Sequence, residues 1–311
     1  MSEKRKKILL ATDGSDQALE AVRYVAGFFP PTKTEVVLFH VDPQVPESLL
    51  DVGRSPEAVG LDLPFDTWAL RARQQVEGSM DKGREILRSA GFPQEGLTLT
   101  IRPRQTGIAR DILKEARMGY DAVVVGRSGV SSVEGVVVGS VPDKLVVRAN
   151  PIPIAVVGGR PEPKKVLIGF DGSRGSMRAV DCACSVMSGD EREVTLCLVV
   201  RSLGAHLGGG AIFKAEHEKA WMETRTKEMA SAFGEAENRL LDAGFHPSHI
   251  FLRSLENHAS RAAGIKAASE QGGCGTIVLG KRGLSCVEEF PMGRVTRKVL
   301  QVADQMAVWV V

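Results

Sequence analysis

Short apolar runs alternate with longer amphipathic stretches along the whole chain. In the first half the apolar runs predict strands at residues 7–12, 35–41, 97–102, 121–126 and 153–157. Helical spacing of the apolar positions predicts helices at about 16–28, 66–90, 106–118 and 140–149. Strands such as AVVVG and TIVLG are apolar at nearly every position, which alternating half-exposed strands are not. With helices between them, they predict a parallel sheet covered on both faces, the doubly wound α/β arrangement.

The second half repeats the first. KKILLATDGSDQALEAVRYVA returns as KKVLIGFDGSRGSMRAVDCAC, which places Asp13 opposite Asp171 at an offset of 158 residues and pairs Glu35 with Glu193 and Val41 with Val199. DAVVVGRSGVSSVEGVVVGSVPDKLV then matches GTIVLGKRGLSCVEEFPMGRVTRKVL at an offset of 154, so the second copy is four residues shorter in between. Two five-stranded modules follow, residues 1–158 and 164–311, joined by the chain-breaking stretch Gly158, Gly159, Arg160, Pro161, Glu162, Pro163.

Composition agrees with two packed domains: 43% hydrophobic and 25% charged residues in 311. Net charge is +2, with 20 basic against 20 acidic residues up to Gly158 and 20 against 18 beyond it, so neither half carries an excess that would attract nucleic acid. The run Lys4, Arg5, Lys6, Lys7 precedes only a short apolar stretch before Asp13, too short for a signal-peptide core or a membrane span. All five cysteines (Cys182, Cys184, Cys197, Cys274, Cys286) lie in the second half without metal-ligand spacing or an even disulfide count, so buried thiols and a cytoplasmic location are expected.

In doubly wound sheets ligands lie beyond the carboxyl ends of the strands. Asp13 follows the first strand, and Gly126, Gly129, Gly139 and Ser140 follow the fourth in the pattern GxxG(x9)GS. Glycines admit a phosphate close to the backbone, and Ser140 opens a helix whose N–H groups favour an anion. The same residues also have plain structural readings. Ser140 with Asp143 fits a helix cap with a capping-box partner, and Asp13-Gly14-Ser15 fits a turn and cap.

ATDGS after the first strand, together with GxxG(x9)GS after the fourth, resembles the ATP-binding form of the universal stress protein family, over nearly the whole chain. The resemblance implies adenine held by backbone at Val41, ribose or metal-bound water near Asp13 (with Ala11 and Thr12 beside it), and triphosphate along Gly126, Arg127, Ser128, Gly129, Gly139, Ser140 and Val141. It also implies ATP as ligand, with Mg2+ compatible, and slow hydrolysis at most. Family members pair through their last strands. A tandem chain satisfies this internally by joining PIAVV near residue 155 to MAVWVV at residues 306–311, an internal pseudo-dimer; whether two chains associate further is open.

The second module departs from the pattern. Its site would use Asp171, Val199, Gly280, Arg282, Gly283, Gly293 and Arg294, but Arg294 replaces the hydroxyl residue, so this site is expected to be degenerate. In the first module Ser128 stands where an arginine is common in the family, and Pro142 removes one donor from the helix start. The proline-bearing stretch Asp42 to Phe65 reads as a lid or as a packing loop, and Gly204 to Gly210 is its counterpart. His246 and His249, three apart beside Pro247, read as a solvated pair.

No Walker GxxxxGK(S/T), GxSxG or kinase motif set is present, and DGS stands where a dinucleotide fold would carry GxGxxG. Three readings remain, in this order: a stress-linked adenine-nucleotide binder, a stress scaffold with a vestigial motif, and, as the weakest, a slow ATPase.

Overall fold

The computed structural model describes residues 5–43, 65–128, 138–149, 151–187, 191–200, 215–256, 258, 260–284 and 291–311. The chain divides into two compact units, residues 1–145 and 146–311.

In the first unit the apolar runs become four strands: β1 (Lys6–Ala11), β2 (Thr34–Asp42), β3 (Leu97–Pro103) and β4 (Ala122–Gly126). They pair in the order β3-β2-β1-β4, all parallel. Every residue of β4 is buried, the burial its unbroken apolar sequence requires. The helices are α1 (Asp16–Phe28), α2 (Phe65–Ser89) and α3 (Ile108–Ala116), while α4 (Ser140–Arg148) runs across the division between the units.

α1 shows why these boundaries were legible. Ser15 caps it, its hydroxyl accepting the Ala18 N–H at 3.2 Å. Ala18, Ala21, Val22, Val25 and Phe28 recur at three- and four-residue spacing and are buried against the sheet. The helix stops at Phe29, whose N–H still bonds Val25, because Pro30 and Pro31 follow. Burying Phe28 contributes roughly 1.5–3 kcal/mol, which Phe28→Ala would remove.

The second unit holds β5 (Ile154–Val157), β6 (Lys165–Gly169), α5 (Arg174–Val186), β7 (Glu193–Val199), α6 (Ala215–Asp242), β8 (Ile250–Leu255), α7 (Arg261–Gly272), β9 (Thr276–Leu279), α8 (Arg294–Val302) and β10 (Ala307–Val310). Its strand order is β5-β10-β9-β6-β7-β8. All pairs are parallel except β5 with β10, which run antiparallel from Ala307 opposite Val157 to Val310 opposite Ile154. The last strands of the two repeats are thus joined within one chain, the pairing that the resemblance implies, and two apolar edges are covered. The fifth strand of the first repeat therefore groups with the second unit, because its ladder to β10 lies there.

Among the described residues no helix is long and apolar enough to cross a membrane. The described cysteines are free thiols. Cys182, Cys197 and Cys274 are buried and Cys184 is half-buried; Cys286 lies outside the described residues.

Candidate functional site

The register of β1 brings the first module's candidate residues to one end of the sheet. Ala11 is opposite Phe39 of β2 and Val125 of β4, so the chain leaves β1 between these two neighbours. Since β2 lies on one side of β1 and β4 on the other, this is the point where the strand order reverses.

Thr12 continues the ladder for one residue, its N–H donating to the Phe39 carbonyl at 2.9 Å. Backbone groups alternate sides along a strand. Phe39 faces β1, and the Asp42 carbonyl faces the β3 side, accepting the Arg104 N–H at 2.8 Å. Val41 must therefore turn its N–H and C=O toward the β1 side, beyond the point where β1 has ended. Its side chain is buried. In the second module Val199 repeats this: the Phe170 N–H bonds the Cys197 carbonyl at 2.8 Å, and the Val200 N–H bonds Leu255 at 2.9 Å.

Asp13 forms a local turn, its Oδ1 accepting the Ser15 N–H at 3.0 Å. Gly14 adopts φ +84°, a left-handed conformation, with Val76 of α2 close beside it. The turn and the Ser15 cap read from DGS are both present. Asp171, Gly172 (φ +74°) and Ser173 repeat them.

The glycines have packing roles. A Cβ on Gly126 would lie 3.0 Å from the Gln17 carbonyl oxygen, so this position must be bare for β4 to meet the first turn of α1. Gly280 meets the first turn of α5 more tightly, a Cβ there falling 2.3 Å from the carbonyl carbon of Gly175. The Gly139 N–H donates to the Arg127 carbonyl at 2.8 Å, and its carbonyl accepts the Asp143 N–H at 3.1 Å. Gly139 thus occupies the cap position of α4, and Ser140 is the first helical residue. The reading of Ser140 as the cap is corrected: the helix begins one residue earlier than a serine cap would place it. Gly293 does the same for α8, bonding the Lys281 carbonyl at 2.8 Å.

α4 leaves the N–H groups of Ser140 and Val141 without an intrahelical acceptor, and Pro142 has none to offer. Ser140 is exposed and Val141 half-buried. Ser128 is half-buried, Arg127 is 7% exposed, and Gly129 lies outside the described residues. The stretches 44–64 and 201–214, where the two candidate lid loops fall, also lie outside them.

In the second module the loop after β9 reaches Asp171. Asp171 Oδ2 accepts the Leu284 N–H at 3.3 Å, and a Cβ on Gly283 would lie 2.6 Å from that oxygen. Arg282 is half-buried, and Arg294 is the exposed first residue of α8. The Lys281 ammonium donates to the carbonyls of Val147 and Ala149 at 2.6 and 2.9 Å, capping the C-terminus of α4; burial and the neighbouring Arg282 lower its pKa.

Two residues escaped sequence reasoning. His40 on β2 is 8% exposed, with Nδ1 2.8 Å from the Thr12 carbonyl oxygen. Its signal was a polar residue inside the apolar run VVLFHV. Asp111, 9% exposed, gathers the loop before α3: its carboxylate accepts the N–H groups of Gln105 (2.8 Å), Thr106 (3.1 Å) and Gly107 (3.3 Å) and the Thr106 hydroxyl (2.8 Å). Burial disfavours the anion, but these donors outweigh it and hold the pKa below the ordinary carboxylate value. His246 and His249 lie on a turn after α6, His246 exposed and bonded to Ser248 at 2.7 Å.

Comparison with known proteins agrees with this architecture. The universal stress protein MJ0577 of Methanocaldococcus jannaschii is 25% identical over 163 residues, spanning 50% of this chain and 97% of its own. A universal stress protein from Archaeoglobus fulgidus has the same fold over 98% of this chain and 97% of its own, with a TM-score of 0.63 at 16% identity. A Pseudomonas aeruginosa structure of the same description covers 99% and 94%, with a TM-score of 0.54 at 14% identity. The model of the universal stress protein family matches twice, over residues 4–158 and 162–311, so the chain belongs to that family as a tandem member.

Proposed function

We propose that this chain is a stress-response regulatory protein that binds ATP or a related adenine nucleotide in its first module. The observation that carries the reading is the register of β1. At one end of the sheet it aligns the Val41 peptide, turned past the end of β1, with the Asp13 turn and the chain leaving β4. The donor set suits such a ligand. The N–H and C=O of Val41 complement the donor and acceptor edge of adenine, Asp13 suits ribose hydroxyls or metal-bound water, and the first N–H groups of α4 suit a phosphate. Ala11 and Thr12 support Asp13, while Gly126 to Gly129, Gly139, Ser140 and Val141 would follow the phosphates. Mg2+ would enter with the nucleotide. The repeats 1–158 and 164–311 act in this reading as two modules, the second with Asp171 engaged by its own loop. Its buried thiols suit a reducing, cytoplasmic setting.

A second reading, a scaffold with a vestigial motif, is favoured by Gly126, whose bare Cα already serves the contact with α1. Titration of ATP with Mg2+ against melting temperature separates the two. A ligand selective for the native state adds about 2.7 kcal/mol at 100-fold its Kd. The binder predicts a saturable rise for wild type that Gly139→Val and Asp13→Asn lose. Asp13→Asn keeps an oxygen for the Ser15 N–H while removing the charge. No shift at millimolar ATP would leave the scaffold.

A further inference from the structure

We infer that His40 is a positioning residue that sets the direction of Asp13 through the Thr12 carbonyl, and that it does so as the tautomer protonated on Nδ1. This rests on the first-module site proposed above. A carbonyl oxygen only accepts, so the 2.8 Å contact between His40 Nδ1 and the Thr12 oxygen requires the proton on Nδ1.

Consecutive residues of β2 then hold both ends of Thr12. The Phe39 carbonyl takes its N–H at 2.9 Å and the His40 ring takes its C=O. That carbonyl belongs to the peptide joining Thr12 to Asp13, so fixing it fixes the plane from which the Asp13 backbone departs. Val41, whose peptide would receive the base, is the next residue on β2. One side chain therefore ties the Asp13 side of the site to the Val41 side. Its burial keeps water from competing for the bond.

The second module serves as an internal control. Leu198 takes the place of His40, is buried at 4%, and offers the Phe170 carbonyl no donor. There Asp171 makes the same turn with Ser173, and its second oxygen accepts the Leu284 N–H. The module that keeps the ring donor is the one whose motif keeps Ser140, and the module that lacks it has Arg294.

His40→Leu copies the second module and fills a similar volume. His40→Asn places an amide nitrogen near the position of Nδ1 and restores the donor. The proposal expects the wild-type His40 signal in nitrogen-detected NMR to show a proton bonded to Nδ1. It expects the Asp13 and Gly14 amide resonances to move in His40→Leu and to return toward wild type in His40→Asn. It expects ATP affinity, by calorimetry, to fall about 5- to 10-fold in His40→Leu with recovery in His40→Asn. A proton on Nε2 alone, or unmoved Asp13 and Gly14 resonances in His40→Leu, would overturn it whether or not ATP binds. Equal affinity of wild type and His40→Leu would overturn it as well. Absence of ATP binding by the wild type is a different outcome: it would remove the proposed function and with it the role of His40 there. Should His40→Leu fail to fold, the wild-type tautomer and the His40→Asn resonances still decide.

Discussion

Asp171 and Leu284, 113 residues apart, are joined by a 3.3 Å hydrogen bond from the Leu284 N–H to the carboxylate. The same carboxylate holds Ser173 through its other oxygen at 3.1 Å. Asp171, the counterpart of Asp13 in the repeat, is thus engaged by its own module. Asp171→Ala is expected to cost about 1 kcal/mol in urea unfolding, since the Leu284 bond is exposed to water. It should leave ATP affinity unchanged, and calorimetry should find one nucleotide per chain. Two equivalent sites in titration would contradict this assignment.

Asp111 organises the turn before α3 as an anion, and its pH dependence has a definite sign. Its pKa lies below the ordinary 3.8, so its contribution is complete above that value and disappears as pH falls through the lowered one. Asp111→Asn replaces one acceptor oxygen with a donor facing the N–H groups of Gln105 and Thr106. It is expected to cost about 1–3 kcal/mol at pH 7. The gap between variant and wild type should close under acid unfolding well below pH 3.8. A gap of constant size across pH would show that the charge contributes nothing.

The two glycines that end β4 and follow β9 should differ in tolerance. Alanine at Gly126 meets the Gln17 oxygen at 3.0 Å, which a small shift relieves, whereas at Gly280 it meets backbone at 2.3 Å. Melting curves should place Gly126→Ala about 1 kcal/mol below wild type and Gly280→Ala about 2–3 kcal/mol below. The reverse ranking would mean that the approach of α5 to β9 is looser than described.

Lys281→Met removes the cap from the Val147 and Ala149 carbonyls while keeping the length of the side chain. A loss of about 1.5–3 kcal/mol is expected for bonds from a charged donor. Hydrogen exchange at the end of α4 should accelerate in the variant. An unchanged exchange rate would argue that water replaces the ammonium at no cost.

The thiols should be slow to react. Burial pushes Cys182 and Cys197 up to about 12 and Cys184 up to about 11, from the ordinary 9.0. Peptide mapping after iodoacetamide at pH 8 should find these three unlabelled in the native protein and labelled in guanidinium. Because the folded pKa values are raised, the same groups stabilise fully below pH 9 and cease to do so as pH climbs toward 12. Stability measured between pH 8 and 11 should therefore decline.

The elements and the repeat are written in the order of residues along the chain. Strand and helix positions depend on apolar spacing and on caps and prolines within a few residues, as around Ser15 and Pro30, and such short-range causes are readable along the chain. The joining of β5 to β10 was expected from the family resemblance, and the apolar sequences of both strands agree with it. Asp13, Gly139 and Ser140 were singled out by their spacing and by the family resemblance. Tertiary structure decided what each of them touches. That Gly139 rather than Ser140 caps α4 depends on the Arg127 carbonyl lying within reach of its N–H. That His40 grips Thr12, across 28 residues, depends on the register of β2 against β1. That Asp171 is engaged by Leu284 depends on how closely the loop after β9 approaches the end of β6. Such contacts follow from how closely segments far apart in the chain pack against one another, and no local pattern of residues encodes them.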